Sequence, residues 1–409
     1  MTVAVIGGGA AGLIAALECA KSGRRVILFE RNEKLGKKIY ITGKGRCNFT
    51  NLCSIEVFLT NVVRNGRFLN SALNNFTPAD CVKYFENLGM PSVIERGNRA
   101  FPASSKASDV TAALFRALTS LDVDIRYNSY IKSFKVVDKS IVSLNIMKEI
   151  VLCDSVILAT GGKTYPLTGS DGNGYDLAKS AGHNIIEPKP SLVPFIAKGC
   201  KELEGLSLKN VTLSLADSKG KILKSVFGEL LFTADGISGP AALTLSAYCR
   251  DFYFKNSALY IDLKPALDDK TLDARLLKDF ALYANKNSQN ALVDLLPQRL
   301  IDKVLNQCQI DAEQKVNVIT AKQRASLLSA LKALRFDCLG LESIERAVVT
   351  SGGVDVKEVN PKTMQSKYIN NLYFAGEILD VDALTGGYNL QIAFSTGFAA
   401  GRACAQSKD

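Results

Sequence analysis

This sequence of 409 residues lacks the histidine and cysteine patterns that bind zinc and similar metal ions. The single histidine, His183, excludes a site built from several imidazoles. Ten cysteines are present, but no two follow the C-x-x-C spacing that zinc sites and thioredoxin-like dithiols use. We therefore predict no metal site, and we expect most of the thiols to be small core residues.

The sequence also lacks a long hydrophobic run. No stretch of about 18 apolar residues is free of charges, so no membrane span is predicted. The amino terminus has no basic region of the signal-peptide type, and its apolar residues follow a strand and helix pattern instead. We expect a cytoplasmic protein.

The chain carries a formal net charge of +10, with hydrophobic and charged fractions that are ordinary for a globular protein. Part of the positive excess lies in a stretch without acids that holds Lys34, Lys37, Lys38, Lys44 and Arg46. Three interpretations stay open: an electropositive wall for phosphates or an anionic substrate, a surface that contacts RNA, and a solvated basic face. No RNA-binding motif favours the second.

The amino terminus holds a strand, a G-x-G-x-x-G turn, a helix and a second strand that ends in an acid. Gly7 permits the tight turn, Gly9 lets the backbone approach a pyrophosphate, and Gly12 lets the helix pack closely on the sheet. Glu30 stands 18 residues after Gly12, near the spacing of an acid that accepts a hydrogen bond from a ribose 2′-hydroxyl. This motif predicts a bound dinucleotide, and Glu30 disfavours NADP because it would repel a 2′-phosphate.

Hydrophobic periodicity and turn residues divide the rest of the chain. We predict a loop at 36–51, helices at 77–88 and 108–121, an antiparallel meander at 124–152 with turns near 138–140 and 147–148, and a buried strand at 155–160. Short strands are predicted between 192 and 263, helices from 271 to 334, strands at 347–350 and 372–375, and a last helix at 388–404.

The strand at 372–375 has parallel-sheet character and needs a partner from the first half of the chain. We therefore predict a discontinuous nucleotide-binding domain of residues 1–190 and 348–409, with residues 191–347 inserted into it. The insert divides into a β-rich part, 191–265 with about 335–347, and a helical part, 266–334.

Two features favour FAD over NAD. The strand that ends at 159–162 follows a meander rather than a simple βαβαβ half. A later strand ends in Gly376-Glu377, and a glycine-rich turn at 385–389 then opens a helix. An acid at such a strand end can bind the ribityl hydroxyls of FAD, and the helix N-terminus can stabilise negative charge on the reduced flavin near N1 and C2=O.

Particular segments resemble one bacterial family: 43–48 (GKGRCN), 228–233 (GELLFT), 236–240 (GISGP), 350–354 (TSGGV), 372–377 and 386–391. Along essentially its whole length the chain resembles the NAD(P)/FAD-dependent oxidoreductases of the BaiN/RdsA type, which include aminoacetone oxidase. The resemblance implies an α/β fold, in which a Rossmann-like FAD-binding domain of the glutathione-reductase type carries an inserted β-barrel and helical subdomain. It also implies that FAD is bound non-covalently.

The predicted cofactor site joins the dinucleotide motif to the segments that the resemblance assigns to the flavin. Gly43 and Gly45 can bring backbone N–H groups to the cofactor, and Arg46 and Lys38 can offset phosphate charge. By the same resemblance, the backbone of Ile131 contacts the adenine. The predicted cofactor-binding residues are Gly7, Gly9, Ala10, Ala11, Gly12, Glu30, Arg31, Lys38, Gly43, Lys44, Gly45, Arg46, Cys47, Asn48, Ile131, Ala159, Thr160, Gly161, Gly162, Gly376, Glu377, Gly387, Tyr388, Asn389 and Leu390.

No catalytic residue follows from the sequence. His183 comes just after a predicted helix, where a role at the helix C-terminus is a better interpretation than a catalytic base. Tyr388 and Lys163 are both candidates for a group near the flavin ring.

Cys47 lies beside Lys44 and Arg46, which can lower the pKa of a thiol, and Cys53 follows six residues later. A redox pair and a packed thiol are the two alternatives, and we favour the packed thiol.

These observations predict an FAD-dependent oxidoreductase that acts on a small molecule and passes electrons from that substrate or from NAD(P)H to oxygen or another acceptor. The loop 169–174 does not have G-x-G-x-x-G spacing, so we expect it to line the flavin cleft and NAD(P)H to bind only transiently. The alternatives are a flavoprotein of RNA modification and a non-catalytic flavin-binding sensor, although nucleic acid is not the expected partner. The sequence assigns neither the substrate nor the oligomeric state.

Overall fold

The structure of the protein is a computed structural model that describes residues 1–147 and 149–407. It divides into two compact units. The first contains Met1–Ser191 together with the residues from Ile344 onward, and the second contains Leu192–Ser343.

The elements follow one another in chain order through both units. The first part of unit 1 contains β1 (Thr2–Ile6), α1 (Ala10–Lys21), β2 (Arg25–Phe29), α2 (Lys37–Ile41), β3 (Thr50–Asn51), α3 (Ile55–Thr60), α4 (Asn70–Asn75), α5 (Pro78–Asn87), β4 (Ser92–Glu95), β5 (Arg99–Pro102), α6 (Ser108–Ser120), β6 (Asp124–Arg126), β7 (Ile131–Val137), β8 (Ser140–Ile146), β9 (Glu149–Leu152), β10 (Ser155–Leu158), α7 (Asn173–Ser180) and β11 (Ile185–Ser191). Unit 2 contains β12 (Phe195–Ala197), β13 (Ser207–Ala216), β14 (Ile222–Thr233), β15 (Gly236–Ser238), α8 (Pro240–Ser246), β16 (Ser257–Asp262), α9 (Asp269–Leu282), α10 (Ser288–Ala291), α11 (Gln298–Cys308), α12 (Ala321–Lys332) and β17 (Leu334–Leu341). The chain returns to unit 1 with β18 (Val349–Val354), β19 (Leu372–Phe374) and α13 (Tyr388–Gln406).

A parallel sheet in the order β19-β10-β1-β2-β6 forms the centre of unit 1. Its central strands are apolar along their length, as expected of strands that are covered on both faces. Because parallel strands point the same way, the residues that follow them meet at one edge of the sheet. Gly7, Glu30, Ala159 and Gly376 therefore come to this edge from distant parts of the chain.

Helices α1 and α13 pack very closely because glycines take the contact positions. A Cβ added to Gly397 would overlap the carbonyl oxygen of Ala11, and one added to Gly401 would lie 2.6 Å from the carbonyl oxygen of Ala15. The first and last helices of the chain thus share a backbone-to-backbone interface that larger residues would separate.

A three-stranded antiparallel meander, β7-β8-β9, confirms most of the predicted meander. The prediction was wrong for residues 124–126, which it assigned to the meander. These residues form β6, which pairs in parallel with β2 in the central sheet. The predicted turn near 147–148 reaches Lys148, which lies outside the described residues.

The predicted loop at 36–51 was also partly wrong, because it contains α2 and β3. Gly36 adopts a left-handed conformation, φ 65°, that starts α2 without a side-chain cap. The predicted start at 77–80 is confirmed, since Thr77 and Asp80 form a reciprocal capping box at α5.

Six antiparallel strands of unit 2 close into a barrel in the order β12-β15-β14-β13-β16-β17. Helices α9 to α12 lie in the chain between β16 and β17. The sequence reading did not predict α8, which packs against β14 where Gly228 leaves room for Ala241. Phe232 and Phe336 are fully buried in the core of this unit.

We expect Gly397→Ala to lower the free energy of unfolding by about 1–3 kcal/mol, because the new methyl group overlaps the α1 backbone. Chemical denaturation measures this difference. The matched control is Gly66→Ala, whose added Cβ would make only an ordinary contact at 3.5 Å from Val62. Equal stability of Gly397→Ala and the wild type would contradict the close helix interface.

Candidate cofactor site

The turn between β1 and α1 contains glycines that pack against the backbone and one glycine that faces open space. Gly7 has φ 104° and lies against the backbone of Ala159, and a Cβ on Gly12 would overlap the carbonyl oxygen of Gly7. A Cβ on Gly9, in contrast, would meet no atom within 4 Å. Gly9 therefore faces open space at the N-terminus of α1, next to Ala10 and Ala11, where a pyrophosphate group fits and a side chain is not needed for packing.

Glu30 lies beside this turn at the end of β2. Its side chain is buried, and it accepts hydrogen bonds from Gly8 N at 2.9 Å, Asn32 N at 2.8 Å and Asn32 Nδ2 at 2.7 Å. Burial raises the pKa of Glu30, although these donors oppose that shift. The structure thus places an acceptor carboxylate next to the open glycine turn, as a ribose contact requires.

The glycine-rich loop 169–174 packs beside the end of β2. Arg31 forms an ion pair with Asp171, and Asn32 Nδ2 donates to the carbonyl oxygen of Thr168 at 3.0 Å. The loop therefore contacts the neighbours of Glu30, which is the side predicted for the adenosine. That this loop lines the flavin cleft stays a prediction.

Ile131, the predicted adenine contact, is the first residue of β7 and is 2% exposed. Its neighbour Tyr130 accepts a hydrogen bond from Asn173 Nδ2 at 2.8 Å through its hydroxyl group. This bond ties the start of β7 to the start of α7, close in sequence to the loop that contacts Arg31.

Glu377 is the centre of a polar cluster at the end of β19. Lys38 Nζ lies 2.6 Å from Glu377 Oε2 and 2.6 Å from Thr164 Oγ1. Glu377 Oε1 accepts from Thr350 N at 2.8 Å and from Thr164 Oγ1 at 3.2 Å. The cluster joins α2, the loop after β10, β18 and β19, so Lys38 neutralises Glu377 here in addition to any phosphate role.

The strand end at 159–162 packs closely on this cluster. A Cβ on Gly162 would lie within 2.9 Å of Glu377 Oε1, and Gly161 has φ 76°. Thr160 Oγ1 is buried and has no hydrogen-bond partner within the described residues. The backbone of the loop after β10 therefore packs closely against Gly376 and Glu377, with no room for a larger side chain at position 162.

The loop 43–48 contains left-handed residues and an orphaned acceptor. Gly43 and Lys44 both have φ 56°. Asn48 Oδ1 is buried without a partner in the part of the chain that is described, and it faces Gly387 at the start of α13. An unsatisfied buried acceptor suits a donor such as the N3–H group of a flavin, so the loop and the start of α13 fit that cofactor.

The basic stretch from Lys34 to Arg46 is largely paired with acids and rings of the protein. Lys37 binds Glu33 at 2.9 Å, Arg46 binds Glu95, and Lys34 Nζ lies 3.6 Å from the centre of the Tyr40 ring. Lys44 and Gly45 are exposed. The stretch therefore presents less free positive charge than its composition indicates.

Helix α13 begins at Tyr388 after two left-handed glycines, Gly386 and Gly387. Asn389 fixes the preceding turn, because its side chain accepts from Ala383 N at 3.0 Å and donates to the carbonyl oxygen of Ala383 at 2.7 Å. The side chain of Asn389 therefore bonds within the protein. The groups available to a ligand at this helix start are the backbone N–H groups of Asn389 and the half-buried Leu390.

Of the two alternatives for Cys47, the structure supports the packed thiol that we favour. Its side chain is fully buried, and burial raises the pKa of the thiol to about 12. Arg46 turns to Glu95 instead. Cys53 hydrogen-bonds Tyr388, and all ten cysteines are free, so the structure supports the packed thiol.

The remaining candidates are His183, Lys163 and Tyr388. His183 is buried, with Nε2 2.8 Å from Ser366 Oγ and Nδ1 3.3 Å from Glu358 Oε2, and burial lowers its pKa. The Lys163 side chain is exposed, and its backbone N–H donates to Thr350 Oγ1 at 2.8 Å. Burial raises the pKa of Tyr388 to about 12.

Sequence reasoning missed Asp382. This carboxylate is fully buried in the turn before α13 and accepts from Ser191 Oγ at 2.8 Å and Ser351 Oγ at 3.0 Å. Burial raises its pKa to about 6. The two aspartates of the Leu379-Asp380-Val381-Asp382 run were the available signal, since acids are unusual in a buried, apolar segment.

A comparison with protein families decides the relationship. The model described as HI0933-like protein Rossmann domain matches residues 1–403. The chain belongs to this family. The predicted family, the Rossmann-type α/β fold with a closed barrel, and the class of FAD-dependent oxidoreductases are confirmed.

Relatives of this HI0933-like chain carry different names. It is 31% identical to the 3-dehydro-bile acid delta(4,6)-reductase of Clostridium scindens over 99% of both chains. It is also 31% identical to the ribosomal RNA dihydrouridine synthase of Escherichia coli, over 98% of this chain and 96% of the relative.

Among solved structures, the HI0933-like chain is similar to the 3-ketosteroid-delta4-(5alpha)-dehydrogenase of Rhodococcus jostii RHA1, with a TM-score of 0.54 at 15% identity over 99% and 96% of the two chains. The 3-ketosteroid delta1-dehydrogenase of Sterolibacterium denitrificans gives a TM-score of 0.53 at 11% identity over the full length of both. At these identities the likeness describes the fold.

Within residues 1–147 and 149–407 no group of three or more histidine, cysteine or acidic side chains is arranged to hold a metal ion. No helix in these ranges combines the length and the apolar character of a bilayer span.

We expect Asp382→Asn to remove a pH dependence of stability. The native pKa of about 6 lies above the ordinary 3.8, so the native state holds the proton more tightly and wild-type stability falls as pH rises through this window. Between pH 4.5 and pH 8 the variant should gain about 2 kcal/mol relative to the wild type. Denaturation at the two pH values measures the gain.

The control is Asp302→Asn, which changes an exposed aspartate of α11. A difference between Asp382→Asn and the wild type that is the same at both pH values would contradict the buried carboxylate.

Proposed function

We propose that this protein uses FAD to reduce a carbon–carbon double bond conjugated to a carbonyl group in a small molecule, with NAD(P)H as the reductant. The observation that carries the cofactor part is the open position of Gly9 beside the buried acceptor Glu30, at the sheet edge where Glu377 and the start of α13 also lie. FAD when bound supplies hydride transfer through its isoalloxazine ring.

The reaction class is supported by what two differently named relatives have in common. One name describes reduction at the 4,6 positions of a 3-dehydro bile acid, and the other describes formation of dihydrouridine in ribosomal RNA. Both reactions add two hydrogens across a double bond conjugated to a carbonyl group. A common ring-to-alkene hydride transfer explains how one fold serves such different substrates.

In this proposal the cofactor-binding residues form two groups, one at each end of a single FAD-binding cleft that we call the cradle. At the adenosine end, Glu30 accepts from the ribose, and the free N–H groups of α1 face the pyrophosphate at Gly9. At the ring end, Asn48 accepts a hydrogen bond, and the N–H groups at the start of α13 stabilise negative charge on the reduced ring. Tyr388 is the first residue of α13, and in this proposal its phenol supplies the proton to the substrate.

NAD(P)H enters this proposal as a transient ligand. The chain has one complete dinucleotide fingerprint, at residues 7–12, and the loop 169–174 packs on Arg31 and Asn32. A nicotinamide that binds briefly over the flavin needs no second fingerprint.

Modification of RNA is the second candidate, because one relative at 31% identity is named for it and the net charge is +10. The pairing of Lys37 with Glu33 and of Arg46 with Glu95 weakens the case for an RNA surface at 34–46. We therefore place the small-molecule substrate first.

The deciding experiment is anaerobic reduction of the FAD-loaded protein by NADH and NADPH, followed by addition of an enone, a dienone steroid or unmodified ribosomal RNA. Reoxidation of the flavin by an enone, with a saturated product, supports the proposal. Reoxidation by the RNA alone, with dihydrouridine formed, selects the second candidate. Reoxidation only by oxygen contradicts both.

We expect Gly9→Ala to weaken FAD binding at least tenfold while leaving the protein as stable as the wild type. The added methyl group meets no protein atom within 4 Å, but it would occupy the space that the pyrophosphate needs. Fluorescence titration with FAD and thermal unfolding measure the two effects. The Gly66→Ala variant is the control for both, and unchanged FAD affinity in Gly9→Ala would contradict this position for the pyrophosphate.

A further inference from the structure

Asp382 occupies a position that ordinary packing does not explain. Its carboxylate is fully buried, and its two oxygens accept from the hydroxyl groups of Ser191, the last residue of β11, and Ser351, in β18. Its backbone carbonyl accepts from Val63 N at 2.8 Å. The residue is thus held by three segments that are remote from it in sequence.

Two charged groups act on Asp382, one from the segment after α3 and one from its own turn. Arg64, from the segment that follows α3, lowers the pKa of Asp382, and Asp380, from the same turn, raises it. These two groups bind each other, with Arg64 Nε and an Nη 3.1 and 3.2 Å from the Asp380 oxygens. Strands β11 and β18 contribute the neutral hydroxyl groups of Ser191 and Ser351.

A buried carboxylate bonded to neutral hydroxyl groups is unfavourable for stability at neutral pH. Burial raises the pKa of Asp382 to about 6, so the group is mostly ionised at pH 7 and still retains that penalty. An amide of the same shape would avoid it. Such a penalty in a well-packed segment indicates that the charge serves the site rather than the fold.

The turn that holds Asp382 leads directly into the start of α13. Leu384 N donates to the carbonyl oxygen of Asn61 at 2.9 Å, and the Asn389 side chain bonds both backbone groups of Ala383. Asp382 is therefore next to a residue that is fixed to the first turn of α13.

We propose that Asp382 is a positioning residue for the flavin: through Ser191 and Ser351 its carboxylate fixes the turn that aims the start of α13 at the ring, and its charge opposes the field of that helix terminus. This rests on the proposed function, because it needs a flavin at the start of α13. The N-terminus of a helix favours negative charge, so it favours the reduced ring. A carboxylate in the turn that leads into that terminus makes the reduced ring less favourable while it is ionised.

The test is the equilibrium between oxidised and reduced flavin in the FAD-loaded Asp382→Asn variant, measured against a reference dye at pH 5 and pH 8. At pH 8 we expect the variant to favour the reduced flavin at least tenfold more than the wild type does, because a charge has been removed. At pH 5, where Asp382 is protonated in the wild type, the two should agree within twofold. Asp302→Asn is the matched control and should follow the wild type at both pH values.

A double variant, Ser191→Ala with Ser351→Ala, keeps the carboxylate and removes its hydroxyl donors. Loss of donors to the charged form raises the pKa of Asp382 further, so the pH midpoint of the change in the flavin equilibrium should lie higher in this variant than in the wild type. This variant keeps the proposal open to test if Asp382→Asn does not fold.

Four outcomes count against the inference. An Asp382→Asn effect of equal size at pH 5 and pH 8, or no effect at either, overturns it and leaves the proposed function standing. An equal pH midpoint of the flavin equilibrium in the double serine variant and in the wild type also overturns it. Folded wild-type protein that takes up no FAD overturns the proposed function and this inference together.

Discussion

The close contact between α1 and α13 is the constraint on which the cofactor site depends. Gly397 and Gly401 bring the backbone of the last helix against Ala11 and Ala15 of the first helix. The same two helices begin at the positions that face the two ends of the cradle, since α1 starts after Gly9 and α13 after Gly387. Their separation is therefore set by direct backbone contact, which is more rigid than a contact between flexible side chains.

Polar clusters then hold the chain segment between β19 and α13 in place beside the two packed helices. Lys38, Thr164 and Thr350 hold Glu377, and the next residue of β18, Ser351, holds Asp382. Neighbouring residues of one strand thus hold two points, Glu377 and Asp382, of the segment between β19 and α13. Polar networks of this kind favour a single geometry, and they leave the start of α13 little freedom.

Local features could be predicted from the sequence because neighbouring residues determine them. The glycine turn at 7–12, the capping box of Thr77 and Asp80, and the strand and helix types follow from spacing and turn chemistry. Partners far apart in sequence could not be predicted in this way. Lys38 meets Glu377 across 339 residues, and nothing near Lys38 in sequence indicates that contact.

Burial accounts for the other differences between the predictions from sequence and the structure. Cys47 has basic neighbours in sequence, but the chain turns its thiol inward and Arg46 outward to Glu95. Asp382 resembles a surface acid in sequence and becomes a buried acceptor because two strands cover it. Which groups lose water depends on the tertiary fold, and the pKa of each group follows from that loss.

The most direct measurement is the FAD content of the purified, folded chain, obtained from the flavin and protein absorbance after removal of free ligand. If the first and last helices form one cradle, the protein should carry or take up one FAD per chain, held without a covalent bond and released on denaturation. Folded protein that binds no FAD at saturating concentrations would contradict the cradle.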